Sequence, residues 1–166
     1  MTLKIGIDIG GVLRSRRSSA ESQVTTLPQP PNPHALQVTT NLVRKYGKEN
    51  IYIVSKCAEE SEDAMFSWLR DNGVFDEVGV DPQNVYFCRL RTDKAPIARD
   101  LKLEYFVDDR AEVLESMRGI VNRRVMYSAS GNYEDSDDAE IVRLSSWLDI
   151  ESDLLQNSKA PTRAIL

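Results

Sequence analysis

Short apolar runs alternate with longer segments of helical periodicity, and this alternation restricts the fold more than any other feature of the sequence. Five apolar runs are predicted as buried strands, at residues 3–8, 51–54, 85–88, 104–107 and 121–127. A segment between two of them places Met65, Trp68 and Leu69 on one helical face and ends at Gly73. Strands that alternate with helices form parallel sheets covered on both faces. We therefore predict an α/β, Rossmann-like, doubly wound parallel sheet of about five strands.

The helix boundaries are marked by capping and stop residues. The first helix is predicted to take Asn32 as its N-cap and Pro33 as its first residue, and to end at Gly47. Three further helices are predicted over residues 58–72, 93–101 and 111–117. A last amphipathic helix is predicted from four apolar residues, Ile141, Leu144, Trp147 and Leu148.

The remaining segments lack a regular period. Residues 13–33 are rich in Ser, Arg, Thr and Pro and are interpreted as a long flap, and residues 134–138 as a solvated acidic loop. We predict a single domain over residues 1–156 with a loose tail over 157–166. The flap is too short for a large cap domain, so the predicted site is open.

Composition excludes several classes of protein. The chain has 166 residues and a net charge of −5, so its surface as a whole should not attract nucleic acid. Cys57 and Cys88 are too few for a disulfide framework or a zinc site, and His34 is the only histidine, which excludes histidine-based triads. The sequence carries no signal-peptide pattern and no long apolar run, so we predict a cytoplasmic protein without a membrane segment.

Polar residues that are suited to catalysis or ligand binding lie at the ends of predicted strands or begin the helices that follow them. They are Asp8, Ser55 with Lys56, Lys94, and Asp108 with Asp109. Parallel sheets place their sites at the carboxyl ends of the strands, and the two aspartate positions can meet only if the first and fourth strands are neighbours. The two aspartate carboxylates, together with the Gly10 carbonyl, would suit Mg²⁺ as ligands. The Ser55 hydroxyl and the Lys94 ammonium group would hold phosphate.

In this order, the segments IGIDIGG, IYIVSK, TDKAPIARDL and YFVDDR resemble the four signature motifs of the haloacid dehalogenase (HAD) superfamily. The resemblance covers residues 3–113. It implies an Mg²⁺-dependent hydrolase of a phosphorylated substrate, with Asp8 as the nucleophile that forms an aspartyl intermediate. It further implies the following site: Lys94 as a catalytic and phosphate-binding residue, Ser55, Lys56 and Gly11 as phosphate ligands, and Asp8, Gly10, Asp108 and Asp109 around the metal.

The first motif departs from the pattern of the superfamily's phosphatases at one position. Those enzymes carry a second aspartate two residues after the first as general acid and base, and this chain has Gly10 there. General acid–base catalysis contributes about 10²–10⁴-fold to rate, so turnover is expected to be slow. The alternative is a catalytically inactive relative that binds a phosphorylated ligand or a protein partner.

The flap contains three arginines that follow Asp8 closely in sequence, Arg14, Arg16 and Arg17. They are interpreted first as a solvated loop and second as contacts for an anionic ligand. The expected partner is a phosphorylated small molecule or macromolecule, with nucleic acid only through these arginines, and no membrane.

A second resemblance remains open on the sequence alone. The segment IGIDIGG also resembles the first phosphate loop of the sugar-kinase and actin-like superfamily. That fold places a β-hairpin after the motif, whereas residues 13–33 have little strand character. The two resemblances therefore make different predictions: the actin-like fold requires a β-hairpin after the first strand, and the HAD-like fold requires the fourth strand to be its neighbour.

Overall fold

The computed structural model describes residues 2–16 and 28–158. Its six strands are β1 Ile5–Ile7, β2 Ile51–Lys56, β3 Val85–Cys88, β4 Tyr105–Asp108, β5 Arg123–Tyr127 and β6 Val142–Leu144. Its five α-helices are α1 Ala35–Tyr46, α2 Glu62–Asp71, α3 Lys94–Leu101, α4 Ala111–Ser116 and α5 Trp147–Ser158. Arg17 and most of the predicted tail, from residue 159 on, lie outside the described residues.

The strands form one parallel sheet in the order β3-β2-β1-β4-β5-β6. The predicted α/β, Rossmann-like fold is confirmed, with six strands instead of about five. β1 lies between β2 and β4, and Ile7 pairs with Ile53 on one side and Val107 on the other. Both edges of β1 are thus occupied by parallel strands, which leaves no place for the hairpin that the actin-like resemblance requires.

Helices cover both faces because successive strand residues point to opposite sides of the sheet. In β4, Tyr105 and Val107 belong to the core that α1 and α5 cover, and Phe106 belongs to the core under α3 and α4. A Cβ on Gly6 would lie 2.5 Å from the Phe106 ring, so glycine permits close packing at the centre of the second face. No separate cap domain occurs in the described residues, in agreement with the sequence prediction.

Two predicted helix starts are wrong. Residues 142–144 form β6, so the last helix begins at Trp147 and not at Ile141. The Asn32 side chain donates to the Val12 carbonyl at 2.8 Å and does not cap α1, which begins at Ala35 after His34 with a left-handed φ of 64°. In both cases a contact with a distant segment outweighs the local pattern.

The acidic segment 134–138 is more than the solvated loop that was predicted. Asp138 is buried and accepts hydrogen bonds from the buried Arg124 guanidinium, with the closest at 2.5 Å. Glu134 accepts from the backbone N–H of Ala111 at 2.8 Å and so holds the start of α4. The segment therefore anchors α4 and β5 through charge pairs.

Among the helices of the described residues, none has the length and apolar character required of a membrane span.

Candidate active site

The first and fourth strands bring two aspartates together at the carboxyl edge of the sheet. Asp8 directly follows β1, and its N–H donates to the Val107 carbonyl of β4 at 3.1 Å. Asp108 is the last residue of β4 and is fully buried. The chain leaves β1 toward β2 on one side and β4 toward β5 on the other, and such a topological switch point is where open α/β sheets bind ligands. The sequence prediction that β1 and β4 are neighbours is confirmed.

Lys94 connects the two aspartates. It is the first residue of α3 and is 2% exposed, and its Nζ lies 2.9 Å from Asp8 Oδ1 and 2.7 Å from Asp108 Oδ2. Charge-assisted hydrogen bonds of this length are among the strongest in proteins. The ammonium group therefore fixes both carboxylates in one buried arrangement.

Asp109 adds a third carboxylate with an unusual environment. Its side chain is 9% exposed, and its Oδ2 accepts a hydrogen bond from Arg16 Nε at 2.5 Å. Its Oδ1 is buried and has no hydrogen-bond partner among the described residues. A buried carboxylate oxygen without a partner is costly. A bound cation would provide the missing interaction.

The electrostatics of the cluster also favour a cation. Burial and, to a smaller extent, the charge of Asp108 raise the pKa of Asp8 to about 7, although Lys94 opposes them. Burial and the neighbouring Asp108 likewise raise the pKa of Asp109. Burial lowers the pKa of Lys94, but Asp8 and Asp108 more than compensate, so the lysine stays protonated. Lys94 pairs with Asp8 and Asp108, and Arg16 pairs with Asp109, so three carboxylates are balanced by two cations and one negative charge remains in excess.

The donor set fits a hard metal ion. One carboxylate oxygen from each of Asp8, Asp108 and Asp109 lies within 4.8 Å of the other two. Cations such as Mg²⁺ and Ca²⁺ prefer oxygen ligands of this kind. The cluster could therefore bind a metal ion, and the unpartnered Asp109 oxygen is the observation that supports such a site.

Two adjacent glycines shape the loop after β1 in different ways. Gly11 has a φ of 78°, and a Cβ there would lie 2.6 Å from Arg16 Nε and also collide with the Asp109 carboxylate. Its N–H donates to the Arg14 carbonyl at 2.8 Å. Gly10 is not among the glycines of positive φ, and a Cβ there would meet Arg14 Nη2 at 3.7 Å, an ordinary contact. Gly11 is therefore required by geometry, whereas Gly10 is not.

The predicted phosphate-binding side chains lie at the same sheet edge. Ser55 in β2 is 2% exposed and Lys56 at the end of that strand is exposed, and both line one cavity together with Asp8, Gly11 and Lys94. The cavity has a volume of about 1230 Å³. The structure thus brings together the residues that the sequence placed at the carboxyl ends of β1, β2 and β4, while their roles stay predictions.

The cavity extends beyond the predicted site onto the face of α2 that carries Met65 and Trp68. Trp68 is 6% exposed, yet it lines this space, and its indole N–H donates to the Gln29 carbonyl at 2.8 Å. Small and polar residues share the face at helical spacing: Ala64, Ser67 and Asp71. That spacing was the available signal, because a core face would be apolar throughout. Arg91 and Arg110 also line the cavity and were not predicted.

Comparisons with known proteins add little to this description. No family model and no curated protein matches the chain. Among solved structures, the chain is similar to a de novo designed Rossmann 3x3 fold protein studied by solution NMR, at 11% identity and a TM-score of 0.45. The match covers 99% of this chain and 100% of the designed one. Similarity at this level carries no argument, so the fold is defined by its own sheet topology and the site by its own geometry.

Proposed function

We propose that the protein is a member of the HAD superfamily and acts as a magnesium-dependent hydrolase of a phosphorylated substrate. The observation that carries the proposal is the arrangement of Lys94 between Asp8 and Asp108, beside the unpartnered oxygen of Asp109. The residues come from segments that resemble the superfamily's motifs in the same order. Perturbed carboxylates in a cavity are typical of functional sites.

Asp8 is the proposed nucleophile. Its carboxylate attacks the phosphorus atom, a P–O bond to the leaving group breaks, and an aspartyl phosphate forms. Water then hydrolyses this intermediate, which releases phosphate and restores the carboxylate. Lys94 keeps Asp8 oriented and balances the charge of the phosphoryl oxygens, and the Ser55 hydroxyl donates a hydrogen bond to them.

Asp8, Asp108 and Asp109 are the proposed ligands of Mg²⁺, with the Gly10 carbonyl as a further ligand. When bound, the ion would neutralise negative charge on the phosphoryl group and on the carboxylates that surround it. Asp109 then gains a partner for its Oδ1, which has none among the described residues.

Gly10 makes slow turnover the expected behaviour for substrates whose leaving group must be protonated. Because Gly10 has an ordinary φ and space for a Cβ, Gly10→Asp should be tolerated by the backbone. The added carboxyl group should raise the rate for an alkyl phosphate by about 10²-fold, the lower end of what general acid–base catalysis contributes. An unchanged rate in a folded Gly10→Asp protein would show that the missing acid is not what limits turnover.

A substrate panel with and without Mg²⁺ tests the proposal. Wild-type protein should release phosphate only with the metal, and Asp8→Asn should reduce release to background because the amide is a poor nucleophile. Asp71→Asn is the matched control, since Asp71 lines the same cavity but is exposed and lies on α2. Equal activity in wild type and Asp8→Asn would overturn the proposed mechanism.

A second candidate function is binding without catalysis, and Gly10 is the feature that favours it. The partner would be a phosphorylated small molecule, a phosphorylated macromolecule or a protein. A nucleic acid would be contacted through Arg14, Arg16 and Arg17. Calorimetry with Mg²⁺ and inorganic phosphate distinguishes the two functions: binding of both without turnover of any substrate supports the second.

A further inference from the structure

The Arg14 side chain lies beside position 10. A Cβ built on Gly10 has one neighbour within 4 Å among the described residues, Arg14 Nη2 at 3.7 Å. A guanidinium group therefore lies within ordinary contact distance of the position that would carry the general acid. This substitutes a fixed positive charge for a proton donor, because arginine stays protonated at all ordinary pH values.

The backbone of Arg14 is held firmly beside the site. Its N–H donates to the Ile9 carbonyl at 2.9 Å, and its own carbonyl accepts from Gly11 N–H at 2.8 Å. It also forms a parallel bridge with Gly10 and an antiparallel bridge with Pro31. The residue is thus tied to the loop that carries Asp8, and its position follows from that loop.

The side chain of Arg14 is supported by the α2 side of the cavity. Its Nη1 lies 3.4 Å from the Met65 sulfur, and its guanidinium carbon lies 5.8 Å from the centre of the Trp68 ring. A cation at this distance from an indole ring is attracted by the ring's quadrupole. These contacts hold the guanidinium group on the wall of the cavity that Asp8 also lines.

We infer that the substrate is a phosphoanhydride and that Arg14 binds the leaving phosphate. The inference rests on the proposed function. A bond forms between Asp8 and the terminal phosphorus, and the bridging P–O bond breaks with its electron pair on the leaving phosphate. That group is stable as an anion and needs no proton, whereas an alkoxide does. A planar guanidinium group can donate two parallel hydrogen bonds to a phosphate, which matches this role.

The size of the cavity and the cationic side chains along its wall agree with a substrate that carries more than one phosphate. Its described lining includes six cationic side chains: Arg14, Arg16, Lys56, Arg91, Lys94 and Arg110. It includes three acidic ones, Asp8, Asp71 and Asp109. Four of these cations pair with carboxylates in the structure: Arg16 with Asp109, Lys94 with Asp8 and Asp108, Arg91 with Glu112, and Arg110 with Glu134. The volume of about 1230 Å³ leaves space for a second phosphate and the group attached to it.

Binding of inorganic pyrophosphate and inorganic phosphate tests the inference apart from catalysis. Both are titrated calorimetrically with Mg²⁺ into Asp8→Asn protein, which should not hydrolyse them. Adding Arg14→Gln should weaken pyrophosphate binding by about 10–100-fold, the effect of losing hydrogen bonds between charged groups. Phosphate binding should change less than about threefold, because phosphate occupies only the Asp8 side of the site. Equal weakening for both ligands, or none for either, would overturn the inference.

Two further variants separate recognition from folding. Arg14→Lys keeps the charge but loses the bidentate geometry, so its pyrophosphate affinity should lie between those of the arginine and glutamine proteins. Arg99→Gln is the matched control, because Arg99 is exposed on α3 and pairs with the neighbouring Asp100. It should leave both affinities unchanged. If Arg14→Gln lowers the melting temperature strongly, the Arg14→Lys protein is used for the test instead. A pyrophosphate affinity of Arg14→Lys equal to that of the arginine protein would then overturn the inference.

Turnover shows whether the proposed function and this inference stand or fall separately. Wild type should hydrolyse pyrophosphate at least about 10²-fold faster than an alkyl phosphate in kcat/KM, since the anhydride needs no acid. Equal rates for the two substrates would contradict the assignment of a phosphoanhydride substrate, whereas the proposed hydrolase function would still stand. Absence of any turnover would reject the hydrolase, while the pyrophosphate titrations would still decide whether Arg14 binds a second phosphate.

Discussion

Two charge clusters in the described residues, each with buried members, differ in how completely they are neutralised. The site cluster, formed by Asp8, Lys94, Asp108 and Asp109, has one buried carboxylate oxygen without a partner among the described residues. The β5 cluster, formed by Arg124, Asp138, Glu140 and Arg118, has the Arg124 guanidinium bonded to both Asp138 oxygens and to the Glu140 carboxylate.

The difference indicates separate purposes. In the β5 cluster, Asp138 also accepts from Glu140 N–H at 3.1 Å, and Arg124 donates to the Leu114 carbonyl at 2.9 Å. Its groups are satisfied by the protein itself, as a structural network requires. In the site cluster the protein leaves negative charge and an acceptor for something else. Incomplete neutralisation thus distinguishes the site cluster, which is suited to bind a ligand, from the β5 cluster, which stabilises the fold.

The largest expected effect on stability comes from Arg124→Met. The change leaves Asp138 buried without its main partner, so the free energy of unfolding should fall by about 3–5 kcal/mol. The affinity for Mg²⁺ should not change, because β5 supplies no ligand. Urea denaturation and magnesium calorimetry measure the two quantities. A loss of magnesium affinity in folded Arg124→Met protein would show that the clusters are coupled.

Lys94→Met should have a smaller effect that depends on the metal. Removal of the ammonium group leaves Asp8 and Asp108 to repel each other, at about 1–3 kcal/mol in metal-free protein. Mg²⁺ should restore most of this loss by taking over the neutralisation. Thermal unfolding of Lys94→Met and Arg124→Met, each with and without Mg²⁺, gives the comparison. Equal rescue of both variants would contradict the distinction between the clusters.

Gly11→Ala should damage the site more than the fold. A left-handed φ costs a non-glycine residue about 1–2 kcal/mol, and the new Cβ would also displace Asp109 and Arg16. Magnesium affinity should therefore fall although the core is untouched. Gly10→Ala is the control, because its Cβ meets only an ordinary contact. Equal magnesium affinities in the two variants would remove Asp109 from the ligand set.

The smallest effect concerns acid stability of the β5 cluster. Hydrogen bonds from Arg124 lower the pKa of Asp138 from 3.8 to about 2 in the folded protein. A depressed pKa contributes stability above the unfolded value of 3.8, and this contribution is lost as pH falls through about 2. In Asp138→Asn the decrease in unfolding free energy between these pH values should be shallower. A parallel decrease in both proteins would show that other carboxylates dominate.

Much of the site could be predicted from the order of segments in the chain. The carboxyl ends of parallel strands meet at one edge, so Asp8 and Asp108 are brought together once β1 and β4 are neighbours. β6 could not be predicted, because it has only three residues and one of them, Leu144, also fits the helical pattern that follows. Asn32 was misjudged because its side chain bonds to Val12, a partner in another segment.

The sequence by itself determined the strand and helix alternation, the parallel sheet and the identity of the residues at its carboxyl edge. These depend on periodicity and on chain order, which are local properties. Only the tertiary structure decided that Lys94 lies between Asp8 and Asp108, that one oxygen of Asp109 lacks a partner in the described part of the chain, and that Arg14 faces Gly10. Those features depend on distances between side chains from separate segments, and burial gives them their energetic weight by removing water from between the charges.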